Sequence, residues 1–191
     1  MKKKNLVLVA LLALLVGLAA YGTVAYFSGE AHVTNVITTG TVDVELIETW
    51  NPEDGKGVMP GQTVSKKVEV ENTGSGDAWV RVHVETSAVD AAGAPLDPGL
   101  ISLVGTDVTD EDGKQVWVPG EGGYYYYYEP LAPGAMTALP LFTAVKFDGQ
   151  MGNQFQGATI EVAVSAQAVQ SRNNPIPDGG TVTDIAGWPT N

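Results

Sequence analysis

Residues 158–169 read ATIEVAVSAQAV. Ile160, Val162, Val164, Ala166 and Ala168 recur at every second position, and the residues between them are mostly small or polar. A period of two belongs to a β-strand with one face on a core, whereas a helix repeats its apolar residues at three and four. Shorter runs upstream have the same period. Val42, Val44 and Leu46 alternate with Asp43 and Glu45. Val64, Val68 and Val70 alternate with Lys67, Glu69 and Glu71. In residues 78–86, Val80, Val82 and Val84 are expected inward, with Trp79, Arg81, His83 and Glu85 outward.

Turn residues punctuate these runs. Asn51-Pro52-Glu53-Asp54-Gly55 and Met59-Pro60-Gly61 end one strand and introduce the next. Asp110-Glu111-Asp112-Gly113 reads as a hairpin turn between a strand at residues 100–104 and its return at residues 115–118. Tyr124 to Tyr128 are five consecutive tyrosines, which on a strand divide into Tyr124, Tyr126 and Tyr128 against Tyr125 and Tyr127. Pro140 suits the start or edge of a strand over residues 139–147. Residues 171–191 form a Pro/Gly-rich tail in which only Val182, Ile185 and Trp188 could pack. Eight or nine short strands at this spacing imply an all-β sandwich, with jelly-roll and immunoglobulin-like topologies both open on pattern alone.

The chain opens on Lys2, Lys3 and Lys4, then an apolar run from Leu6 to Ala20, then Thr23-Val24-Ala25. This is the layout of a helical signal peptide over residues 1–25, cleaved between Ala25 and Tyr26; a retained membrane anchor is the alternative. The sandwich domain then covers residues 26–170. Ten basic residues oppose 22 acidic ones, and loss of the three leader lysines takes the net charge from −12 to −15. So acidic a surface repels phosphate backbones and anionic headgroups, which argues against nucleic acid and confines membrane contact to the uncleaved leader. With no cysteine, thiolate catalysis and thiolate metal centres are excluded.

Little points to chemistry. His32 and His83 are the only histidines, so the two-histidine zinc motif with an intervening glutamate is missing. His83 and Glu85 share one face of a strand, a spacing that two metal ligands could use and that a solvated strand face explains equally well. The Asp110 turn fails as a calcium loop, because the first and last ligand positions would be Val108 and Pro119. No catalytic residue, cofactor or metal is assigned. The tyrosine run admits a sugar-stacking or adhesive role beside its role in packing.

Four segments in order resemble a known family. They are Gly22-Thr23-Val24-Ala25-Tyr26-Phe27-Ser28 with Gly40-Thr41-Val42-Asp43; Pro60-Gly61-Gln62-Thr63-Val64 with the strand ending Asn72-Thr73-Gly74; the tyrosine run with Leu131-Ala132-Pro133-Gly134 and Leu141-Phe142; and Asn153-Gln154-Phe155-Gln156-Gly157 leading to Ala166-Gln167-Ala168-Val169-Gln170. Together they resemble the TasA/camelysin family of secreted Gram-positive proteins. The resemblance implies a jelly-roll-like β-sandwich and a leader read by a signal peptidase of the SipW type. It implies a biofilm matrix protein that self-associates into fibres, with other matrix proteins as further partners. In such fibres the freed segment, here residues 26–37, adds as a strand to the next subunit, with Val33, Val36 and Ile37 supplying apolar side chains. Val33 and Ile37 share strand parity and Val36 does not. The same resemblance brings a secreted metallopeptidase as the alternative function, and an adhesin or carbohydrate-binding module is a third. The Asp-rich segment of many relatives is reduced here to Ser28-Gly29-Glu30, which leaves polymerising, capping and anchoring roles all open.

Overall fold

The computed structural model describes residues 42–189. Eight strands form two four-stranded sheets: β1 (Val44–Trp50), β2 (Thr63–Asn72), β3 (Ala78–Val89), β4 (Ile101–Val104), β5 (Trp117–Pro119), β6 (Tyr124–Tyr127), β7 (Phe142–Phe147) and β8 (Thr159–Gln170). Sheet one has the order β1-β2-β7-β4 and sheet two the order β5-β6-β3-β8, with every pairing antiparallel. Only the β1–β2 and β5–β6 connections stay within a sheet. The other five pass the chain from one sheet to the other. Around the sandwich the strands run β1, β2, β7, β4, β5, β6, β3, β8, which is a jelly-roll order with the two sheets divided between β4 and β5 and between β8 and β1. Topology was open on pattern alone, because alternation says which face a residue takes and not which strand lies beside it.

The core lies between the sheets, where the alternating valines meet. Val68 and Val70 from β2 and Val80 and Val82 from β3 are fully buried, as are Phe142, Leu141, Val116 and Trp117. Burying each such side chain contributes about 1.5–3 kcal/mol. The expected inner row of the last strand is confirmed: Ile160, Val162, Val164, Ala166 and Ala168 all pack on this core. Polar atoms that enter it are paired. Trp117 Nε1 donates to the Leu139 carbonyl at 3.0 Å, and the Tyr127 hydroxyl accepts from the Ala138 N–H at 3.0 Å.

The Asp110 turn forms as expected. The Asp110 carboxylate accepts from the N–H groups of Asp112 (3.1 Å) and Lys114 (2.8 Å), and Gly113 takes φ +77°. Its flanking strands do not form the expected hairpin ladder. They separate, β4 joining β7 in sheet one and β5 joining β6 in sheet two. Only Thr109 and Gln115 pair across the turn. Gly105, at φ +87°, turns the chain out of β4, and Trp117 then enters the core from the opposite side.

The tyrosine run also departs from simple alternation. Tyr125 and Tyr127 face the core, and Tyr124 and Tyr126 face outward. Tyr128 follows neither row, because β6 ends at Tyr127 and parity ends with the strand. Its N–H donates to the Val116 carbonyl at 3.0 Å, and its ring packs on the main core.

Candidate functional site

The cleavage pair Ala25 and Tyr26 and the strand-donor residues Val33, Val36 and Ile37 lie outside the described residues. His83 and Glu85 do share the outer face of β3, as their spacing implies. Glu85 is exposed, while His83 is half-buried with its ring 4.7 Å from that of Tyr124. Among the described residues, no group of three His, Cys, Asp or Glu side chains is placed to hold a metal ion.

The first half of that face corrects the expectation of a solvent-facing row. Trp79 and Arg81 point away from the core and yet are buried, at 7% and 8% exposure. The cover is the C-terminal tail. After β8 the chain turns back across sheet two, and Val182 and Ile185 pack with Trp79, Tyr126 and Val169 in a second, smaller core. The three apolar tail residues singled out in the sequence are the ones that pack: Val182 and Ile185 are buried, and Trp188 lies against them. A capping box at Thr181 and Asp184 shapes the turn that presents Val182.

Arg81 joins tail to sheet. Its guanidinium donates from Nε to Gln167 Oε1 (2.8 Å), from Nη1 to the Tyr126 hydroxyl (3.4 Å) and from Nη2 to the Pro189 carbonyl (3.0 Å). The rings of Tyr124 and Trp188 lie 4.1 and 4.8 Å from its central carbon. Trp79 Nε1 adds a second anchor, donating to the Asn174 carbonyl at 2.8 Å. Neutral oxygens and ring faces thus receive the cation, and these lessen the cost of burying it. Sequence reading missed this because Arg81 sits in an outward row, and the residues that cover it come a hundred positions later.

The tyrosines can now be placed by chemistry. Burial, assisted by the negative charge of Glu129, raises the Tyr127 hydroxyl above its ordinary range against the opposing bond from the Ala138 N–H. Tyr128 is pushed up to about 12, first by desolvation and then by Glu129. Tyr127 is buried in the main core and Tyr125, half-buried, packs against it. Tyr124 and Tyr126 face outward but are engaged with Arg81 and, for Tyr126, with Trp188.

Among the described residues the sandwich has four sheet edges, on β1, β4, β5 and β8. Near the end of β1, the exposed Glu48 meets Lys66 of β2. They pair at 2.8 Å with the lysine side chain only 12% exposed, and Lys66 also lies over the Trp50 ring. β4 has four residues and β5 three, the last being Pro119. β8 has twelve, all paired with β3 on one side.

Comparison with known proteins gives a family match over residues 1–94, just under half the chain, to the family described as Camelysin metallo-endopeptidase. The matched stretch runs from residue 1 through β1, β2 and β3. It includes Trp79, Arg81, His83 and Glu85 and leaves out β8 and the tail. A search of curated proteins found no match. Members of this family are typically secreted or surface proteins. Over residues 1–94 the chain is therefore similar to the camelysin family, which also includes the TasA-type proteins.

Proposed function

We propose that this protein is a secreted structural component of an extracellular, biofilm-type matrix. Copies assemble into fibres as residues 26–37 of one subunit add as a strand to a sheet of the next. The observation that supports this reading best is the open architecture. Among the described residues, two four-stranded sheets leave four edge strands, and an edge strand presents backbone N–H and C=O groups that an added strand can pair. Donor and acceptor are different surfaces, so the contact is head-to-tail and propagates into a filament. A signal peptidase of the SipW type frees the donor by removing the leader. No catalytic role is assigned to the chain, and its partners are further copies of itself and other matrix proteins.

Electron microscopy of the secreted protein, with its N-terminus determined by mass spectrometry, tests the reading. Filaments are expected from the intact mature chain, and a variant lacking residues 26–37 should remain monomeric. Filaments from the truncated protein would refute strand donation.

A further inference from the structure

The tail after β8 is shaped by its own bonds and held by the sandwich at a few points. Among the described residues, the backbone–backbone bonds of residues 174–189 stay local: Asn174 N–H donates to the Ser171 carbonyl, Gly180 to Pro177 and Asp184 to Thr181. None of this segment joins either sheet. It is attached by Trp79 Nε1 on the Asn174 carbonyl, by Arg81 Nη2 on the Pro189 carbonyl, and by Val182, Ile185 and Trp188 seated with Trp79, Tyr126 and Val169. All of these contacts are made by the outer face of sheet two. We infer that the tail is an exchangeable arm, and that this face takes residues 174–189 of a second copy of the chain in place of its own. Reciprocal exchange closes a two-fold dimer. The contact involves no strand addition and stands apart from the fibre reading above.

The joint suits exchange. A single 3-10 turn, Ser171–Asn173, separates the end of β8 from the first anchor at Asn174, and Arg172 and Asn173 are exposed. The turn is fastened by Ser171, whose N–H and Oγ donate to the Asp77 carbonyl, and by Asn174 Nδ2 on the Gln170 carbonyl. Asn174-Pro175-Ile176-Pro177 follows. Each proline fixes its own φ and biases the residue before it toward extended backbone, so this stretch is a stiff arm and not a slack loop. Straightening residues 171–173 carries the arm away from its own sandwich without disturbing β8. A short joint favours exchange, because docking on the same copy requires one tight reversal that docking on a neighbour does not.

Charge and chemistry allow the second copy to approach. Residues 171–189 carry Asp178 and Asp184 against Arg172, and the receiving face supplies Arg81. The contact is therefore locally balanced, although the chain as a whole has a net charge of −12. Arg81 and Trp79 bind the tail through backbone carbonyls, which any copy presents alike. Exchange thus remakes each docking contact unchanged. The closed monomer and the exchanged dimer differ only in the joint and in the entropy of association, so the monomer is favoured when dilute and the dimer when concentrated.

The test uses two full-length variants. Ile185→Asp spoils the tail and leaves the receiving face intact; Arg81→Met weakens the face and leaves the tail intact. Each alone should be cut readily by trypsin after Arg172. In an equal mixture the Arg81→Met tail should dock on the Ile185→Asp chain. Its cleavage should slow about tenfold as concentration rises, followed by mass spectrometry of two tail fragments that differ at residue 185, and a one-to-one heterodimer should appear in native mass spectra. A synthetic peptide of residues 173–189 should bind the Ile185→Asp chain, which tests the face without relying on the Arg81→Met fold. Wild-type chains opened in mild urea at high concentration and returned to buffer should yield a dimer with Arg172 protected. Unchanged cleavage on mixing together with no peptide binding would overturn the inference. Peptide binding with wild-type chains that stay monomeric through the urea cycle would overturn exchange and leave the tail a clamp on its own chain. A dimer that is lost when residues 26–37 are deleted would also overturn it, because those residues take no part in this contact.

Discussion

Arg81→Met should release the C-terminal tail while leaving the sandwich folded. Arg81 touches the tail through one charge-assisted bond to the Pro189 carbonyl and through the Trp188 ring. The bond is worth ~1.5–3 kcal/mol and the ring contact ~0.5–2 kcal/mol before solvent replaces them. Water at the opened face recovers part of this, so a net loss of about 2 kcal/mol in tail docking is expected. Methionine keeps an unbranched apolar side chain, and all of Arg81's side-chain contacts lie on the outer face, so the inner core is untouched. The readout is tryptic cleavage after Arg172, an exposed residue at the base of the tail, with the C-terminal fragment followed by mass spectrometry. When opening is fast relative to cleavage, the rate follows the open population, and about 2 kcal/mol corresponds to a roughly 30-fold increase. The urea midpoint of the sandwich should move little. Cleavage after Arg172 at the wild-type rate would show that Arg81 does not hold the tail.

Two further outcomes follow from buried polar groups. The hydroxyls of Tyr127 and Tyr128 are raised above the ordinary value near 10, Tyr128 to about 12. Below pH 10 both folded and unfolded chains keep these protons, whereas between pH 10 and 12 the unfolded chain gives them up first, so stability is full below pH 10 and falls as pH rises through that window. Urea midpoints measured at pH 8 and pH 11 should show the fall, and Tyr128→Phe should reduce it; an unchanged slope would show that Tyr128 does not contribute. Asn72 is fully buried, with Nδ2 donating to the carbonyls of Leu131 (2.7 Å) and Gly76 (2.9 Å) and Oδ1 accepting from the Gly74 N–H (3.0 Å). Asn72→Leu removes all three bonds; the Leu131 carbonyl keeps the Ala78 N–H and the Gly74 N–H keeps the Asp43 carbonyl, so the Gly76 carbonyl is the group left to find a new partner, and a destabilisation of roughly 2 kcal/mol is expected, seen as a lower urea midpoint with an unchanged denaturant slope.

The strands were legible because alternation is local. Burying one face of an extended chain requires apolar residues at every second position, and 158–169 or 64–70 show this with no knowledge of their neighbours. The Asp110 turn was legible for the same reason, since its side chain bonds amides two and four residues ahead. Alternation distinguishes two faces and cannot say what lies beyond either. Trp79 and Arg81 therefore read as solvent-facing, although the tail that buries them returns about a hundred residues later. Strand partners were likewise beyond local reach. The Asp110 turn looked like a hairpin, but β4 and β5 gain more by pairing with β7 and β6 in opposite sheets than with each other. The same holds for sheet position: alternation marked residues 158–169 as a strand, and only the sheet order placed it beside β3. By itself the sequence determined an all-β chain, its inner rows and its turns, because these depend on neighbours in the chain. Tertiary structure decided the jelly-roll order and the covered arginine, because these depend on contacts between residues far apart in sequence.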